Sequence, residues 1–428
     1  MTDLGCLLGI LLVPLAAAGL GLIHQGLSRS RSAAHTMLAV LCALAVSAAV
    51  FVLFGSVLAG SAGGPARTIT VAGHHWNWLG AAATRYSAET GSPDAPRTNK
   101  TLLLCLEMFA AGLASVISVG AGSDRWRLAS TCLASAFTAG FLFPLFAHWV
   151  WGGGWLAQLG AEFNLTGFVD PGGAASIQVL GGIISLCVAW IAGPRRGKFA
   201  DDGLAAAIPG HNMVLVLFGC MLAWVGWVGL EIAVSVLVYA ATVEQLGWLV
   251  INAMLSASAG ALAALLVTRT RYRKPDASLC ANGWIAGIVA GSASCGFVSP
   301  LAALCIGAVA GVLVTYMIES LELRLRIDDP GGSISVHAGA GIWGLIAAGI
   351  FAHFSQGTRG EHILAQIVGI AALVGFMLPL TYAGNLVLNR VSPYRVDNDG
   401  DWQGMDIREL GAGAYPEFVI HADDFAPR

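Results

Sequence analysis

Long apolar stretches alternate with short polar islands along almost the whole chain. Each stretch reaches the roughly 18 residues that a helix needs to cross a bilayer, and a helix satisfies its own backbone hydrogen bonds. The pattern predicts an all-α polytopic membrane protein with eleven transmembrane helices. The predicted spans are residues 4–26, 34–60, 101–121, 127–150, 171–194, 211–236, 244–268, 279–296, 298–320, 332–353 and 363–389. A membrane domain therefore covers residues 1–390, and a cytoplasmic tail covers residues 391–428.

The composition is typical of a membrane protein and excludes several other classes. Of the 428 residues, 56% are hydrophobic and 11% are charged, whereas a soluble domain carries about 25% charged residues. The nine cysteines stand singly, which predicts neither a metal centre nor a disulfide framework. A net charge of −3 gives no indication of nucleic-acid binding. Because the sequence has no Walker A motif, any transport is expected to be passive or ion-coupled, with no enzyme activity and no cofactor.

Basic residues predict the orientation, because loops rich in Lys and Arg stay in the cytoplasm. The loops after the fourth, sixth and eighth predicted spans contain no Lys or Arg. The loops after the odd-numbered spans up to the ninth contain Arg29, Arg31, Arg125, Arg127, Arg195, Arg196, Lys198, Arg269, Arg271, Arg273, Lys274, Arg324 and Arg326. The sequence thus predicts a multi-pass protein of the plasma (inner) membrane, with its N-terminus outside and its tail inside.

Two segments of the chain resemble each other. Asp170–Ile183 reads DPGGAASIQVLGGI and Asp329–Ile342 reads DPGGSISVHAGAGI, with Gln178 and His337 each eight positions after the Asp. The predicted topology runs the two segments in opposite directions, which indicates an inverted repeat of five plus five spans with an eleventh helix added. Such repeats place their site near the midplane, where Gln178 and His337 are expected to approach each other. The alternative is a chance similarity between two glycine-rich helices.

Longer motifs carry a resemblance to a known family. His148–Gly160 (HWVWGGGWLAQLG) and the first DPGG segment resemble the fifth-helix region of the ammonium transporter family (Amt/Mep/Rh), and Ile327–Ala352 resembles its tenth helix. Gly404–Phe418 is similar to the regulatory tail of bacterial members. The resemblance implies a homotrimer in the lipid bilayer, with a narrow hydrophobic pore for ammonium or ammonia in each protomer. It also makes a PII-type signal protein a candidate partner at the cytoplasmic face.

Four residues match the family pattern. The resemblance implies that Trp151 contacts the incoming cation and that Phe109 forms one half of a phenylalanine gate, close enough to share in recruiting substrate. Asp170 matches the buried acid that shapes the outer site. His337 matches one of the two histidines of the pore.

Four other residues depart from that pattern, and all four lie in the pore region. Gln178 replaces the second pore histidine, and Leu230 stands where the second gate phenylalanine is expected. In the outer recruitment site, Val234 replaces a hydroxyl residue and Glu231 replaces a neutral amide. These departures predict an altered pore mechanism.

The chemistry of ammonium selection shows what Gln178 changes. Ammonium and potassium are similar in size, so a selective site combines cation–π attraction, worth about 0.5–2 kcal/mol, with an acceptor for N–H hydrogen bonds. The ion must then lose its proton or its water before it crosses an apolar pore, and neutral imidazoles suit that step. A glutamine keeps the hydrogen bonding but cannot carry the proton. Gln178 then either takes part in conduction or only satisfies His337 at a helix interface.

Glu231 also has two interpretations. An acid within a span is costly and usually functional, so its charge is expected to attract a cation where Val234 has removed a hydroxyl. The alternative is that Glu231 reaches the outer interface or pairs with a neighbouring protomer.

Two functions remain open at this point. The first is an ammonium channel or transporter of altered pore mechanism. The second is an Amt-like sensor, or a transporter of another small solute, with weak or no ammonium conduction.

Overall fold

A computed structural model of the protein describes residues 2–81, 97–163, 165–200, 204–354 and 357–415. It shows a helical polytopic membrane protein, as the sequence predicts. In those ranges ten helices are long and apolar enough to span a membrane, and a shorter apolar helix, α8, lies among them. In chain order the helices are α1 (Leu4–Leu27), α2 (Ser30–Ala59), α3 (Lys100–Gly122), α4 (Leu128–Val150), α5 (Ala174–Ala192), α6 (Met213–Leu237), α7 (Val243–Tyr272), α8 (Ala277–Ser292), α9 (Pro300–Leu323), α10 (Ile334–Phe351) and α11 (Arg359–Val391).

The predicted span 279–296 differs from the structure. The 16 residues of α8 rise about 24 Å, less than the roughly 30 Å hydrocarbon core of a bilayer. A 3₁₀ turn, Cys295–Phe297, follows it. Most of the residues from Ala281 to Ser292 are buried against neighbouring helices, so α8 contacts protein over most of its length. The apolar pattern merged this short helix and the turn into one span because both are apolar.

A β-hairpin corrects the all-α prediction. Strands β1 (Ala66–Val71) and β2 (His74–Gly80) pair antiparallel in the loop between α2 and α3. The hairpin packs on the end of α4 and on the segment that follows it. The Trp149 indole in α4 donates to Trp78 O at 2.9 Å, and the Asn77 side chain donates to Gly153 O, after α4, at 3.3 Å. The hydropathy pattern marks this segment as a loop, and its short strands give no apolar run.

Glycines allow α1 and α6 to approach each other closely. Gly9 lies against Gly229, and Gly19 lies against Gly219, with no room for a Cβ between the backbones. Residue numbers fall along α6 as they rise along α1, so the two helices are antiparallel. Small residues at such interfaces are typical of membrane helices, since van der Waals packing drives their association.

A buried ionic network joins the loops on one face of the molecule. The guanidinium of Arg195 donates from Nε and Nη2 to the two carboxylate oxygens of Asp328, at 2.9 and 3.0 Å, and from Nη1 to Asp124 at 3.0 Å. Arg125, fully buried, donates to Asp328 O at 2.8 Å. Burial alone raises the pKa of Asp328, but Arg125 and Arg195 lower it to about 2. The network fixes the start of α10 against the ends of α3 and α5.

The described part of the tail docks on the same face. Asp406 accepts backbone N–H groups of Ala34 and His35, so it caps the start of α2. Glu409 accepts from the backbone N–H of Leu128 at 2.8 Å and caps α4. Carboxylates at helix N-termini are favourable because of the helix dipole.

Candidate functional site

The two DPGG segments have the same local conformation. Gly173 and Gly332 have φ of 75° and 67°, a left-handed conformation that favours glycine. A π-helical turn follows each glycine, Ala174–Val179 in one segment and Ile334–Gly339 in the other. The sequence similarity is therefore also a structural similarity.

The acid that opens each segment caps the helix that follows, but the two acids are not equally bonded. Asp170 accepts from Ala175 N with one oxygen and from Ser176 N and Oγ with the other. Asp329 accepts from Ile334 N at 2.7 Å, whereas its Oδ1 has no partner among the described residues. Burial raises the pKa of Asp170 above its usual range despite these hydrogen bonds, and it raises the pKa of Asp329 to about 6.

The segments cross each other at Gln178 and His337. Both side chains are almost fully buried, and a hydrogen bond joins His337 Nδ1 to Gln178 Oε1. Gly182, twelve positions after Asp170, packs against Ala338, and Gly341, twelve positions after Asp329, packs against Val179. The contacts are reciprocal, and residue numbers run in opposite directions in the two segments, so the crossing is antiparallel. The approach expected from the sequence is observed.

This hydrogen bond assigns the protons of the pair. An amide oxygen only accepts, so Nδ1 of His337 is the donor. Nε2 of the neutral ring is then left as an acceptor, able to take a proton or an N–H hydrogen bond. Gln178 fixes the orientation of the imidazole and cannot itself take the proton away.

An open vestibule of about 980 Å³ lies on the face of the hairpin. Its wall contains Trp151, Tyr239, Phe297 and Phe354. The Trp151 indole donates to Asp170 O at 3.0 Å, and Asp170 N donates to the Tyr239 hydroxyl at 2.9 Å. Burial raises the pKa of Tyr239, so its hydroxyl stays neutral. Aromatic faces beside a hydroxyl and a buried acid are suited to a small cation that donates hydrogen bonds.

The other predicted recruitment and gate residues lie outside the described wall of this vestibule. Leu230 and Val234 are fully buried in α6. Phe109 is half-buried in α3 and packs on the hydrophobic core. The structure therefore joins Trp151 to Asp170 and Gln178 to His337. Phe109, Leu230 and Val234 pack in or against the hydrophobic core.

Glu231 lies in a buried environment within α6. It is 1% exposed, and neither carboxylate oxygen has a partner among the described residues. The carboxyl lines a closed cleft with Gly172, Ser235 and Cys295 that has no room for a water molecule. An unpaired, dry carboxylate is very costly, so this placement favours a neutral carboxyl over a charge that attracts cations.

A second cavity, of about 540 Å³, opens on the face of the tail. Its lining includes Asn282, Glu322 and Asp329. Asp170 is bonded to Trp151 of the vestibule wall, and Asp329 lines the second cavity. Gln178 and His337 each follow one of these acids by eight residues in antiparallel segments, so their crossing lies between the two cavities.

The hydropathy pattern missed two residues of this region. Tyr239 follows α6 in the short loop VYAAT before α7, where an isolated tyrosine gives no signal. His24 lies in the last turn of α1, 1% exposed, and its Nδ1 has no partner among the described residues. Its position inside an apolar span was the available signal, since ionisable residues there are usually functional.

The fold and the site together define a polytopic helical transport protein. Residues 5–415 match the model of the Ammonium Transporter Family. The chain belongs to this family.

Individual relatives agree with that assignment. The chain is 33% identical over 427 residues to Ammonium transporter Amt2 of Archaeoglobus fulgidus, covering 95% of this chain and 86% of that protein. Identity to the Ammonium transporter of Bacillus subtilis is 29%, over 95% and 96% of the two chains. Among solved structures, one described as Sensor Amt Protein has a TM-score of 0.85 at 26% identity, covering 96% of this chain and 98% of that chain. Candida albicans Mep2 shares the fold, with a TM-score of 0.77 at 21% identity. The match covers 97% of this chain and 90% of that chain.

Proposed function

We propose that this protein conducts ammonium across the plasma membrane, through the Gln178–His337 crossing in each protomer of a homotrimer. The observation that carries the proposal is the position of this buried polar pair between the aromatic vestibule and the inner cavity. Eleven spans in a five-plus-five inverted repeat, α8 included, complete the architecture. The reciprocal contacts of Gly182 and Gly341 support the repeat, and so do the antiparallel α1 and α6, which stand first in their halves.

Recruitment begins in the vestibule. The indole of Trp151 offers a cation–π surface, and Tyr239 offers a hydroxyl oxygen with a lone pair beyond the one that accepts Asp170 N. An ammonium N–H can use that lone pair, whereas potassium has no hydrogen to donate. Tyr239 thus supplies the acceptor that Val234 does not provide.

Proton handling follows at the crossing. Ammonium that reaches His337 gives a proton to Nε2 and continues as neutral ammonia, since a bare charge in an apolar pore costs several kcal/mol. Gln178 orients the ring but holds no proton, so this pore has one titratable group at the crossing. That difference is the altered mechanism.

In the proposed orientation the face of the tail lies in the cytoplasm. Arg125 and Arg195 lie on this face, in the ionic network. Basic residues stay on the cytoplasmic side during insertion. A PII-type signal protein is a candidate partner there, and co-purification of a PII protein with the detergent-solubilised chain tests it.

Stopped-flow fluorescence on proteoliposomes tests the proposed function. Vesicles that contain a trapped pH dye receive an ammonium chloride gradient, and we expect an internal pH change faster than in protein-free vesicles. Vesicles with Trp151→Leu, which removes the indole, should respond more slowly. A parent response equal to that of empty vesicles would overturn the proposal.

A sensor is the second candidate. The similarity to the Sensor Amt Protein over 96% of this chain favours it, as does the loss of a titratable group at Gln178. A sensor binds ammonium without flux, so saturable ammonium binding combined with an absent dye response would select this function.

A further inference from the structure

The Gln178–His337 pair leaves a proton without a route. If His337 takes a proton on Nε2, an amide oxygen on the other side of the ring cannot accept one in exchange. The proton on Nε2 therefore needs a second acceptor other than Gln178. This requirement rests on the proposed function.

His24 meets the requirement. Its ring and the Ser333 hydroxyl converge above Gly120, where they occupy the space that a Cβ would need. Ser333 precedes His337 by four residues at the start of α10, so the His24 ring lies about one helical turn from His337. The Nδ1 atom of His24 and the Ser333 hydroxyl both lack a hydrogen-bond partner among the described residues.

The polar groups form a series toward the inner cavity. Ser333 and His337 lie four residues apart at the start of α10, and Asp329 precedes this helix and caps it through Ile334 N. Asp329 lines the inner cavity and has an unpartnered Oδ1. In the first DPGG segment, the positions of Ser333 and His337 are occupied by Ala174 and Gln178, and neither can relay a proton.

The other titratable groups near this end of α1 are held in bonds of their own. Asp124 and Arg125, at the end of α3, belong to the ionic network. His211, before α6, bonds to Ser28 O and the Tyr415 hydroxyl. His35, near the start of α2, bonds to Glu409.

We propose that His24 is the second titratable group of the pathway and carries the proton from His337 to the inner cavity. Ammonium loses a proton to His337 and becomes ammonia, and His337 passes that proton to His24. His24 returns it through Ser333 and Asp329 to the inner cavity, where it meets the ammonia again. Each transfer breaks one N–H or O–H bond and forms another, with no net redox change. The pair of imidazoles is thus His337 with His24, displaced toward the cytoplasm.

The test combines two measurements on the full-length protein. On solid-supported membranes, His24→Gln should reduce ammonium-chloride-evoked current at least about tenfold, the scale of a lost acid–base group, and should lower its solvent deuterium isotope effect. His75→Gln on the exposed strand β2 is the control and should behave as the parent. A folded His24→Gln protein with the parent's current and isotope effect would overturn the proposal.

Nitrogen-15 NMR of histidine-labelled protein needs no conducting state. The proposal predicts that the ring signals of His24 respond to His337→Gln, because the two rings exchange a proton. Signals of His24 that are unchanged by that substitution would overturn the proposal even if His24→Gln fails to fold. Coupled signals in a parent without ammonium current would refute the proposed function and leave the His24–His337 exchange standing.

Discussion

His337 donates a hydrogen bond from Nδ1 to Oε1 of Gln178, at the point where two antiparallel segments of matching sequence cross. The bond gives His337 one tautomer and leaves Nε2 as its acceptor. In the proposed pore, proton transfer therefore depends on a single imidazole at the crossing and on the groups next to it.

Replacing Gln178 with His tests how far the glutamine limits conduction. Two adjacent imidazoles can exchange a proton, and they are coupled so that both are rarely charged together. We expect Gln178→His to increase ammonium-evoked current or to change its pH dependence. His337→Gln should lower the ammonium-evoked current below that of the parent. A trimeric Gln178→His protein with the parent's current, selectivity and pH profile would show that the glutamine does not limit conduction.

Removing the Tyr239 hydroxyl tests the outer site. Tyr239→Phe deletes the acceptor that faces Asp170 N, and loss of one hydrogen bond is worth about 1 kcal/mol. The half-saturating ammonium concentration should rise about fivefold, as measured from the concentration dependence of the current. The same substitution at Tyr272, half-exposed at the end of α7, is the control. Equal half-saturation in the two variants would remove Tyr239 from recruitment.

Acid should weaken the ionic network in a defined pH window. The pKa of Asp328 is about 2 in the folded protein, against an ordinary value of 3.8. A lowered pKa contributes stability that is present above pH 4 and is lost as the pH falls toward 2, about 2 kcal/mol in all. Thermal unfolding in detergent should show this loss for the parent and a shallower one for Asp328→Asn. If the melting temperatures of the parent and of Asp328→Asn fall equally as the pH is lowered, groups other than Asp328 cause the acid sensitivity.

The tail should tune activity without holding the protomers together. Truncation after Val396 removes the caps that Asp406 and Glu409 provide and leaves the buried Tyr394 in place. Each lost cap costs about 1 kcal/mol. We expect a lower melting temperature, altered ammonium-evoked current and the parent's oligomeric state by native mass spectrometry. A truncated protein with unaltered current would refute coupling between the tail and the pore.

The sequence predicts the features that follow from a regular pattern, namely the apolar length of the spans and the repeated spacing of the two DPGG segments. Apolar length predicts the ten long helices of the described residues. The matched offset from Asp170 and Asp329 predicts the approach of Gln178 and His337. The sequence could not resolve α8 from the turn after it, because burial and membrane insertion give the same apolar pattern. The hairpin was missed because its strands are short and partly polar.

The environment of a single side chain is the property that the sequence predicts least well. Glu231 lies in an apolar span whether it faces a vestibule or a dry cleft, and only the packing of Gly172 and Ser235 distinguishes the two. Tyr239 gains its role from contact with Asp170, which is distant in sequence. Roles that depend on such tertiary contacts need the fold.

The charge displaced by an ammonium pulse tests the central claim most directly. Parent protein reconstituted on a solid-supported membrane receives ammonium, methylammonium and potassium chloride at constant ionic strength. Conduction through the crossing, with the proton passed on from His337 to His24, predicts a saturable current for ammonium, a smaller one for methylammonium and none for potassium. It also predicts a reduced ammonium current in His337→Gln. Folded parent protein that gives no ammonium current above protein-free membranes would contradict it.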